Sequence, residues 1–557
     1  MTQVTSKKSG ITFEVSDKDK KFIENISPVI NGKKFEIPLP TTTPDERQQR
    51  RLAHRNERNL YKRKCDGTGK DIISTYRAEA PFPVYSIQHW WSDKWNAKDY
   101  AQDFDFSRPF FEQFAELQKK VPRLGVLQEQ NENSDYTNCA TNLKDCYLLF
   151  SSDYNRSCYY GVWIQRSNDC LDNLLLDDSE LAYDCIFSKK LYNCKTCMYS
   201  SLCSDSAFLL DCKNCTNCFM CFGLRNQEYC LFNKKVTKEE YEDYMKKYPL
   251  TSRTNYDYFK NHFLEFIKDA PYLYMRRNGR IENSTGDFLT DVENCEECFE
   301  ATEAKDCKYV QGAFQVKDAM DCCYVNNEFG YENCECFPMP FGAKFCVNCY
   351  SGSDLMYCDS CMNNCRDCFG CVGLKQSQYC ILNKQYTKEE YEELLPKIIE
   401  HMKNDGSFGE FFPGNLSPYS YQESVAMDFF PLTKERAIAS GFKWEEVDDK
   451  QYVPQSIAVA DDLKDIDDSI CSQVLSCIET GKNFRIIPQE LAFYKKVGLP
   501  IPNLCPETRH QERAKFRNSR HLYDRTCSAS GVALKSTYAP DRPEKVYSEE
   551  EYLKLIG

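Results

Sequence analysis

The sequence predicts a mainly β protein with two Cys-rich arrays of β-solenoid type, duplicated zinc-ribbon-like modules at its ends, and short helices. Three observations lead to this fold class. Of the 33 cysteines, 13 lie between 139 and 230 and 15 between 295 and 380. The two ends of the chain align with each other, and the middle aligns with itself. Self-similarity of this kind indicates a repeat architecture.

The end modules are two copies of one sequence. Residues 44–86 align with 506–548 without a gap at an offset of 462, and 19 of 43 positions are identical. A weaker upstream match places "EIPLP" against "GLPIP" and Phe22 against Phe484. We therefore expect residues 13–90 and 475–552 to share one fold and to be able to associate with each other or with those of a second chain.

The middle of the chain repeats at an offset of 150. Residues 215–241 align with 365–391, and 15 of 27 positions are identical. Thr237 and Glu240, like Thr387 and Glu390, have the spacing of a helix capping box. Together the two duplications predict a segmental organisation: 1–90 module, 91–130 aromatic and acidic junction, 131–248 first array, 249–282 linker, 283–402 second array, 403–465 mixed linker, and 466–557 module.

The array bodies consist of short β-prone runs separated by Asn, Asp and Ser, with cysteines often directly after Asn or Asp. This pattern favours a β-solenoid whose turns stack on one another. Cysteine suits an inward position there because it behaves as a small apolar residue.

Spacing by three gives the central cysteines a second interpretation as metal ligands. Zinc knuckles use CxxC pairs, and C-x2-C-x2-C approaches a ferredoxin run. A buried ladder of free thiols, a zinc site, an iron–sulfur cluster and a redox disulfide all remain open, the buried ladder being favoured. The candidate ligands are Cys212, Cys215, Cys218, Cys221, Cys361, Cys365, Cys368 and Cys371.

The end modules contain knuckle-like frames in which most ligands are replaced. In the C-terminal copy these are Cys477/Thr480, Cys505/Thr508, Cys527/Ser530 and Ser548/Glu551. An offset of 462 makes their counterparts Val15/Lys18, Thr43/Glu46, Cys65/Thr68 and Ser86/His89. Because Thr and Ser are poor zinc ligands, we expect a ribbon fold without metal. Cys65 with His89 is the best residual pair in the N-terminal copy.

The chain resembles the uncharacterised Cys-rich proteins of candidate-phylum, reduced-genome bacteria, which have zinc-ribbon-like ends and Cys-rich central repeats. The resemblance covers nearly the whole chain and rests on motifs such as "RNERNLYKRKCDGTGKDIISTY", "HWWSDKWN", "CFGLRNQEYCLFNK" and "LCPETRHQERAKFRN". It implies full CxxC knuckles in relatives. This sequence departs from them at Thr68, Thr508, Ser530, Ser548 and Glu551. The resemblance implies an architecture and no activity.

Each end module also carries a series of arginines at helical spacing. Side chains four apart share one side of a helix, so we predict a basic side that contacts RNA or DNA backbone or a protein partner. The alternatives are a solvated helix and arginines paired with the protein's own acids. The residues are Arg47, Arg51, Arg55, Arg58, Arg509, Arg513, Arg517 and Arg520.

The whole chain is acidic, with a formal net charge of −13, which excludes a uniformly basic nucleic-acid binder. No signal pattern and no long apolar run is present, so we expect a cytoplasmic protein without membrane contact. No common catalytic motif appears. We predict a non-enzymatic structural or interaction scaffold without a cofactor. A zinc or iron–sulfur protein is the first alternative, and a β-solenoid enzyme or carbohydrate binder the second.

Overall fold

A computed structural model of the chain describes residues 1–338, 340–446, 451–455 and 457–556. Parts of the predicted segments 403–465 and 466–557, namely 447–450, 456 and 557, lie outside the described residues. More of the described residues lie in strands than in helices, as a mainly β protein requires. No helix among them is both long and apolar enough to cross a membrane.

The first 126 residues form short hairpins and helices. Ser16 and Asp19 cap α1 reciprocally, and Thr43 and Glu46 do the same for α2. The elements are β1 (Thr2–Thr5), β2 (Thr12–Val15), α1 (Asp17–Ile26), β3 (Val29–Ile30), β4 (Lys33–Lys34), α2 (Pro44–Leu52), β5 (Tyr61–Lys64), β6 (Asp71–Ser74), β7 (Val84–Tyr85), α3 (Ile87–Trp90), α4 (Phe110–Lys120) and β8 (Arg123–Leu124).

Residues 127–274 form a parallel series of strands followed by two helices. The helix after the strands begins with the predicted capping box of Thr237 and Glu240, which is confirmed. The elements are β9 (Gln128–Glu129), β10 (Thr137–Thr141), β11 (Tyr147–Asp153), β12 (Arg156–Gln165), β13 (Asn168–Leu171), β14 (Leu174–Asp177), β15 (Ile186–Lys189), β16 (Lys195–Met198), β17 (Ala207–Leu210), β18 (Thr216–Phe222), β19 (Glu228–Leu231), β20 (Lys234–Lys235), α5 (Lys238–Lys247), α6 (Arg253–Phe266) and β21 (Pro271–Leu273).

Residues 275–446 repeat this organisation, and the capping box of Thr387 and Glu390 is also confirmed. The elements are β22 (Arg277–Glu282), β23 (Gly286–Glu293), β24 (Cys298–Thr302), β25 (Lys305–Phe314), β26 (Lys317–Val325), β27 (Tyr331–Cys336), β28 (Tyr350–Met356), β29 (Met362–Phe369), β30 (Gln378–Ile381), β31 (Lys384–Gln385), α7 (Lys388–Asn404), α8 (Ala426–Phe429) and α9 (Lys434–Ala439).

The C-terminal part again has hairpins and short helices. The elements are β32 (Leu475–Ser476), β33 (Asn483–Phe484), α10 (Pro488–Val497), α11 (Pro506–Ala514), β34 (Tyr523–Thr526), β35 (Ala533–Ser536), β36 (Lys545–Tyr547) and α12 (Glu549–Ile556).

The chain forms two compact units, and each unit combines segments that are distant in sequence. Unit 1 contains Met1–Val126, Met275–Glu446 and Arg520–Leu522. Unit 2 contains Leu127–Tyr274 and the described parts of Val447–Ser519 and Tyr523–Gly557. Apart from Arg520–Leu522, each end module therefore lies with the array that is farther from it along the chain.

Strands β9 to β19, which we call the first ladder, pair in parallel at a register of 12 residues. Cys158 lies beside Cys170, and Leu209 lies beside Cys221. Strands β22 to β30, the second ladder, keep this register with local departures. Met320 lies beside Tyr331, and Gly352 lies beside Cys365, at spacings of 11 and 13. The antiparallel hairpins β19–β20 and β30–β31 end the ladders.

The backbone of the first ladder has a period of three residues. Every third residue from 142 to 220 has a positive φ. The residue after each of these faces the core, which is filled by small and apolar side chains such as Cys170, Ala182 and Leu209. Asn and Asp enter the left-handed conformation more readily than other non-glycine residues. From Asp145-Cys146 to Asn217-Cys218, the Asn-Cys and Asp-Cys pairs are therefore left-handed residues followed by core residues.

Candidate functional site

Helix α2 points two arginines at the second ladder in unit 1. Arg51 donates to Glu332 at 2.7 Å and to Asp321 at 3.2 Å, while Arg47 Nε donates to Asp321 at 3.0 Å. All four side chains are at most 2% exposed. Asp321 and Glu332 stand one strand apart in the ladder, because Met320 pairs with Tyr331. We call this cluster the first arginine junction.

Helix α11 makes the equivalent contact in unit 2. Arg513 donates to Asp172 at 3.1 Å and to Asp184 at 3.4 Å, and Arg509 lies 3.2 Å from Asp172. The two aspartates are 12 residues apart, both have a positive φ, and they occupy the same place in successive 12-residue repeats of the first ladder. Arg509 also donates to Glu490 at 2.9 Å. We call this cluster of Arg509, Arg513, Asp172 and Asp184 the second arginine junction.

Electrostatics keeps these arginines charged in the interior. Burial disfavours the charged form of Arg51, but Glu332 and Asp321 outweigh it, and the pKa of Arg51 lies well above its usual value. The same balance raises the pKa of Arg509, where Asp172 is the largest compensating charge. Buried charges of this kind require their partners.

The other predicted arginines also face the protein. Arg55 lies 2.9 Å from both Glu57 and Glu335 and packs over the Tyr324 ring. Arg520 is buried and pairs with Glu300. Arg58 and Arg517 are half-buried. The predicted helical side is correct only for Arg47, Arg51, Arg509 and Arg513, because α2 ends at Leu52 and α11 at Ala514, before the other four arginines. These four helical arginines pair with the protein's own acids.

The central cysteines line the cores of the ladders. Each predicted ligand from Cys212 to Cys221 and from Cys361 to Cys371 is buried. The sulfurs lie near a backbone carbonyl two or three residues earlier and, except in Cys365, near a second carbonyl nine or ten residues later. From Cys146 to Cys230 all spacings are multiples of three, so CxxC follows from the three-residue period. Across the described part of the chain, no group of three or more His, Cys, Asp and Glu is arranged to hold a metal ion. A metal on these cysteines stays a prediction.

Four tight hairpin turns in the end modules have the same geometry. In each, the amide of the first residue donates to the carbonyl five residues later, and a glycine amide donates back to the first carbonyl. Those glycines, Gly10, Gly69, Gly481 and Gly531, have φ of 73°, 71°, 69° and 71°. The turns begin at Ser6, Cys65, Cys477 and Cys527.

Each turn faces the start of a helix, and we call each such combination of one turn and one helix start a turn frame. The first frame has Ser6, Ser9, Thr43 and Glu46; the second has Cys65, Thr68, Ser86 and His89; the third has Cys477, Thr480, Cys505 and Thr508; the fourth has Cys527, Ser530, Ser548 and Glu551.

The predicted pair Val15/Lys18 is wrong for the first frame. Ser6 and Ser9 hold those positions, while Val15 ends β2 and Lys18 is in α1. The offset of 462 fails upstream of α2 because the N-terminal module contains the additional hairpin β3–β4. For the same reason Phe22, a helical residue, is not the counterpart of Phe484 in β33. The signal that was missed is "SKKSG" at 6–10.

Hydrogen bonds close the frames. Ser6 Oγ donates to Glu46 at 2.7 Å, and the Ser86 amide donates to Cys65 Sγ at 3.2 Å. Thr508 Oγ1 lies 3.4 Å from Cys477 Sγ and 3.2 Å from Cys505 Sγ.

Three of the frames hold a cysteine whose pKa is lowered. Burial acts to raise the pKa of Cys477, but hydrogen bonds from Thr480, Thr508 and the Cys505 amide lower it to about 6. Against the same effect of burial, Ser530 lowers the pKa of Cys527 to about 6.

Zinc does not fit these frames. A structural zinc site needs four Cys, His or carboxylate ligands, whereas hydroxyl groups hold half or more of the positions in every frame. In the second frame His89 packs on the turn itself: a Cβ built on Gly67 would lie 2.3 Å from its ring. The frames are therefore closed by protein hydrogen bonds.

Comparison with known proteins adds little. No protein-family model matches the sequence, and no curated protein matches it. Among solved structures, one described as a "putative acetyltransferase" from Desulfovibrio desulfuricans G20 is similar over 50% of this chain and 81% of that one, with 9% identity and a TM-score of 0.11.

Proposed function

We propose that the protein is a non-enzymatic interaction scaffold made of two β-solenoids, each fastened to a degenerate zinc-ribbon-like module. The register of 12 residues, constant in the first ladder, and the three-residue period support a solenoid with four short sides per turn. The four turn frames support a ribbon origin for the modules.

One observation carries the proposal: the same arginine junction occurs in both units. Arginines four apart meet carboxylates in successive repeats of a ladder, in unit 1 and again in unit 2. An arginine used in this way fastens a module to its ladder. It is not presented to a phosphate backbone.

The outer sides of the ladders favour a protein partner over nucleic acid. Neighbouring strands pair opposite charges there, as Lys144 does with Glu132 and Lys305 with Glu293. Such rows have no excess of positive charge, and counterion release from nucleic acid needs one. We propose that these mixed-charge sides hold a protein surface of similarly mixed charge.

Fluorescence anisotropy with labelled single-stranded RNA and duplex DNA at low salt tests this. We expect no saturable binding, and no difference between the parent and the Arg58→Gln/Arg517→Gln variant, which changes the two half-buried arginines. Steeply salt-dependent binding that this variant loses, while keeping the parental unfolding midpoint, would contradict the proposal.

Hydrogen exchange tests the fastening directly. In Arg513→Met we expect faster exchange in α11 and in β34–β35 than in the parent, with the second ladder unaffected. Unchanged exchange in the C-terminal module would show that Arg513 does not hold it.

A further inference from the structure

We propose that the third turn frame binds one monovalent soft metal ion, of which Cu⁺ is the biological example, between Cys477 and Cys505. This frame alone, among the described residues of the four frames, contains two thiols. The inference does not depend on the arginine junctions or on the scaffold function.

The geometry places the two sulfurs around a single group. Thr508 Oγ1 lies 3.4 Å from one sulfur and 3.2 Å from the other. The tight turn from Cys477 to Gly481 fixes the first sulfur, since the Gly481 amide donates to the Cys477 carbonyl at 2.9 Å. The second cysteine is fixed as the N-cap of α11. Both thiols are therefore fixed by local backbone structure and lie next to the same hydroxyl group, that of Thr508.

The donor set selects the kind of metal. Thiolates prefer soft ions such as Cu⁺, whereas hydroxyl groups such as those of Thr480 and Thr508 do not bind them well. Zinc needs four ligands in a tetrahedron, but a monovalent d¹⁰ ion is satisfied by two sulfurs in a line. Two thiols flanked by two hydroxyls thus exclude zinc and suit Cu⁺.

The proposed site lies just below the protein surface. Cys477 and Cys505 are only 2% and 4% exposed, yet Ile478 in the same turn is 70% exposed. Binding forms two Cu–S bonds and releases whatever protons the sulfurs carry. No electron is transferred, because the metal arrives as Cu⁺.

The other frames provide controls within the same chain. The second and fourth frames have the same turn and one thiol each, Cys65 and Cys527. Serine is tolerated structurally in these places, since Ser6 begins the first turn and Ser548 stands at the start of α12. Ser548 Oγ lies 3.7 Å from Cys527 Sγ, so Ser548→Cys should build a second two-thiol frame.

The test is Cu⁺ uptake by the reduced full chain under anaerobic conditions, measured as loss of the visible absorbance of the copper–bicinchoninate complex. We expect Cys477→Ser and Cys505→Ser each to take up one equivalent less than the parent. Cys65→Ser and Cys527→Ser should match the parent, and Ser548→Cys should take up one equivalent more.

Two results would overturn the proposal. One is equal uptake by the parent, Cys477→Ser and Cys505→Ser. The other is uptake of Zn²⁺ alone with the same dependence on these residues, which would assign a different metal. Unfolding midpoints of the variants establish that each is folded, and the gain expected for Ser548→Cys keeps the test decisive if a serine variant at the third frame unfolds.

Discussion

Replacing Arg51 with methionine tests the energetic role of the first arginine junction. Arg51 is completely buried and bonds to Glu332 at 2.7 Å and to Asp321 at 3.2 Å. After the substitution Asp321 still has Arg47 at 2.8 Å. Glu332 keeps only Arg50 at 3.3 Å and a longer contact with Arg47 at 3.8 Å. The substitution therefore leaves Glu332 as an undercompensated buried carboxylate.

The expected loss follows from that imbalance. Removing one partner of a buried ion pair costs about 3–5 kcal/mol of folding stability. Because Arg47 and Arg50 still partly compensate Glu332, we expect Arg51→Met to lower the free energy of unfolding by about 3 kcal/mol. In Arg51→Met/Glu332→Met the unpaired charge is gone. That variant should lie within about 1 kcal/mol of the parent, because an apolar pair can replace a buried ion pair.

Urea unfolding followed by tryptophan fluorescence measures these differences, since the buried Trp90 and Trp95 belong to unit 1. The control is Lys305→Met, which removes a solvent-exposed pair with Glu293 and should cost much less than Arg51→Met, because exposed ion pairs contribute little to stability. The reasoning fails if Arg51→Met costs no more than Lys305→Met. It also fails if the double variant is less stable than Arg51→Met.

Three further predictions concern the frames, the ladders and the division of the chain. Gly286→Ala should destabilise the protein strongly, because its Cβ would lie 1.7 Å from the Cys298 carbonyl oxygen. Gly481→Ala has open space around it and should cost only about 1–2 kcal/mol of left-handed backbone strain. Thermal unfolding compares the two variants, and equal losses of stability would contradict this packing. Residues 1–446 and 451–557, co-expressed as separate chains with a tag on one, should co-purify because the second arginine junction joins them. Arg513→Met should weaken this association. Recovery of the tagged chain alone from the parent pair would contradict the prediction. The Cys527 thiol, with a pKa of about 6 against an ordinary value near 8.5, should be ionised at neutral pH. A thiol whose pKa is lower in the folded state stabilises the protein at pH values above its unfolded pKa. The stability difference between the parent and Cys527→Ser should therefore shrink as the pH falls from about 8.5 to about 6. An ultraviolet thiolate absorbance of Cys527 that titrates near 8.5 would refute the lowered pKa.

The mainly β class could be predicted from sequence because short β-prone runs and Asx turns are local signals. The three-residue period was also present, since the spacings from Cys146 to Cys230 are all multiples of three. It was hidden because CxxC has an established meaning as a zinc knuckle. Two structures, a knuckle and a three-residue ladder side, produce the same spacing, so only the φ values separate them.

The candidate sites were predictable to different degrees. The turn frames at Cys65, Cys477 and Cys527 carry a local signal, a cysteine followed four residues later by glycine. The frame at Ser6 was missed because neither half retains a cysteine. The direction of the arginine sides was not predictable, since it depends on carboxylates such as Asp321 that lie hundreds of residues away. Amphipathic spacing shows that side chains share a side and does not show what that side contacts.

Each end module must bind one of two ladders, and the arginine junctions alone do not determine which ladder it binds. Closing long loops adds little cost, because each doubling of loop length costs only about 0.6 kcal/mol. Either module could therefore reach either ladder, and both junctions present the same arginine spacing to carboxylates in successive repeats of a ladder. Specificity requires contacts that differ between the units. In unit 1 Arg55 meets Glu335 of the second ladder, whereas in unit 2 Tyr160 of the first ladder donates to Glu490 on α10 at 3.0 Å. We infer that these unlike contacts beside a shared junction direct each module to its own ladder.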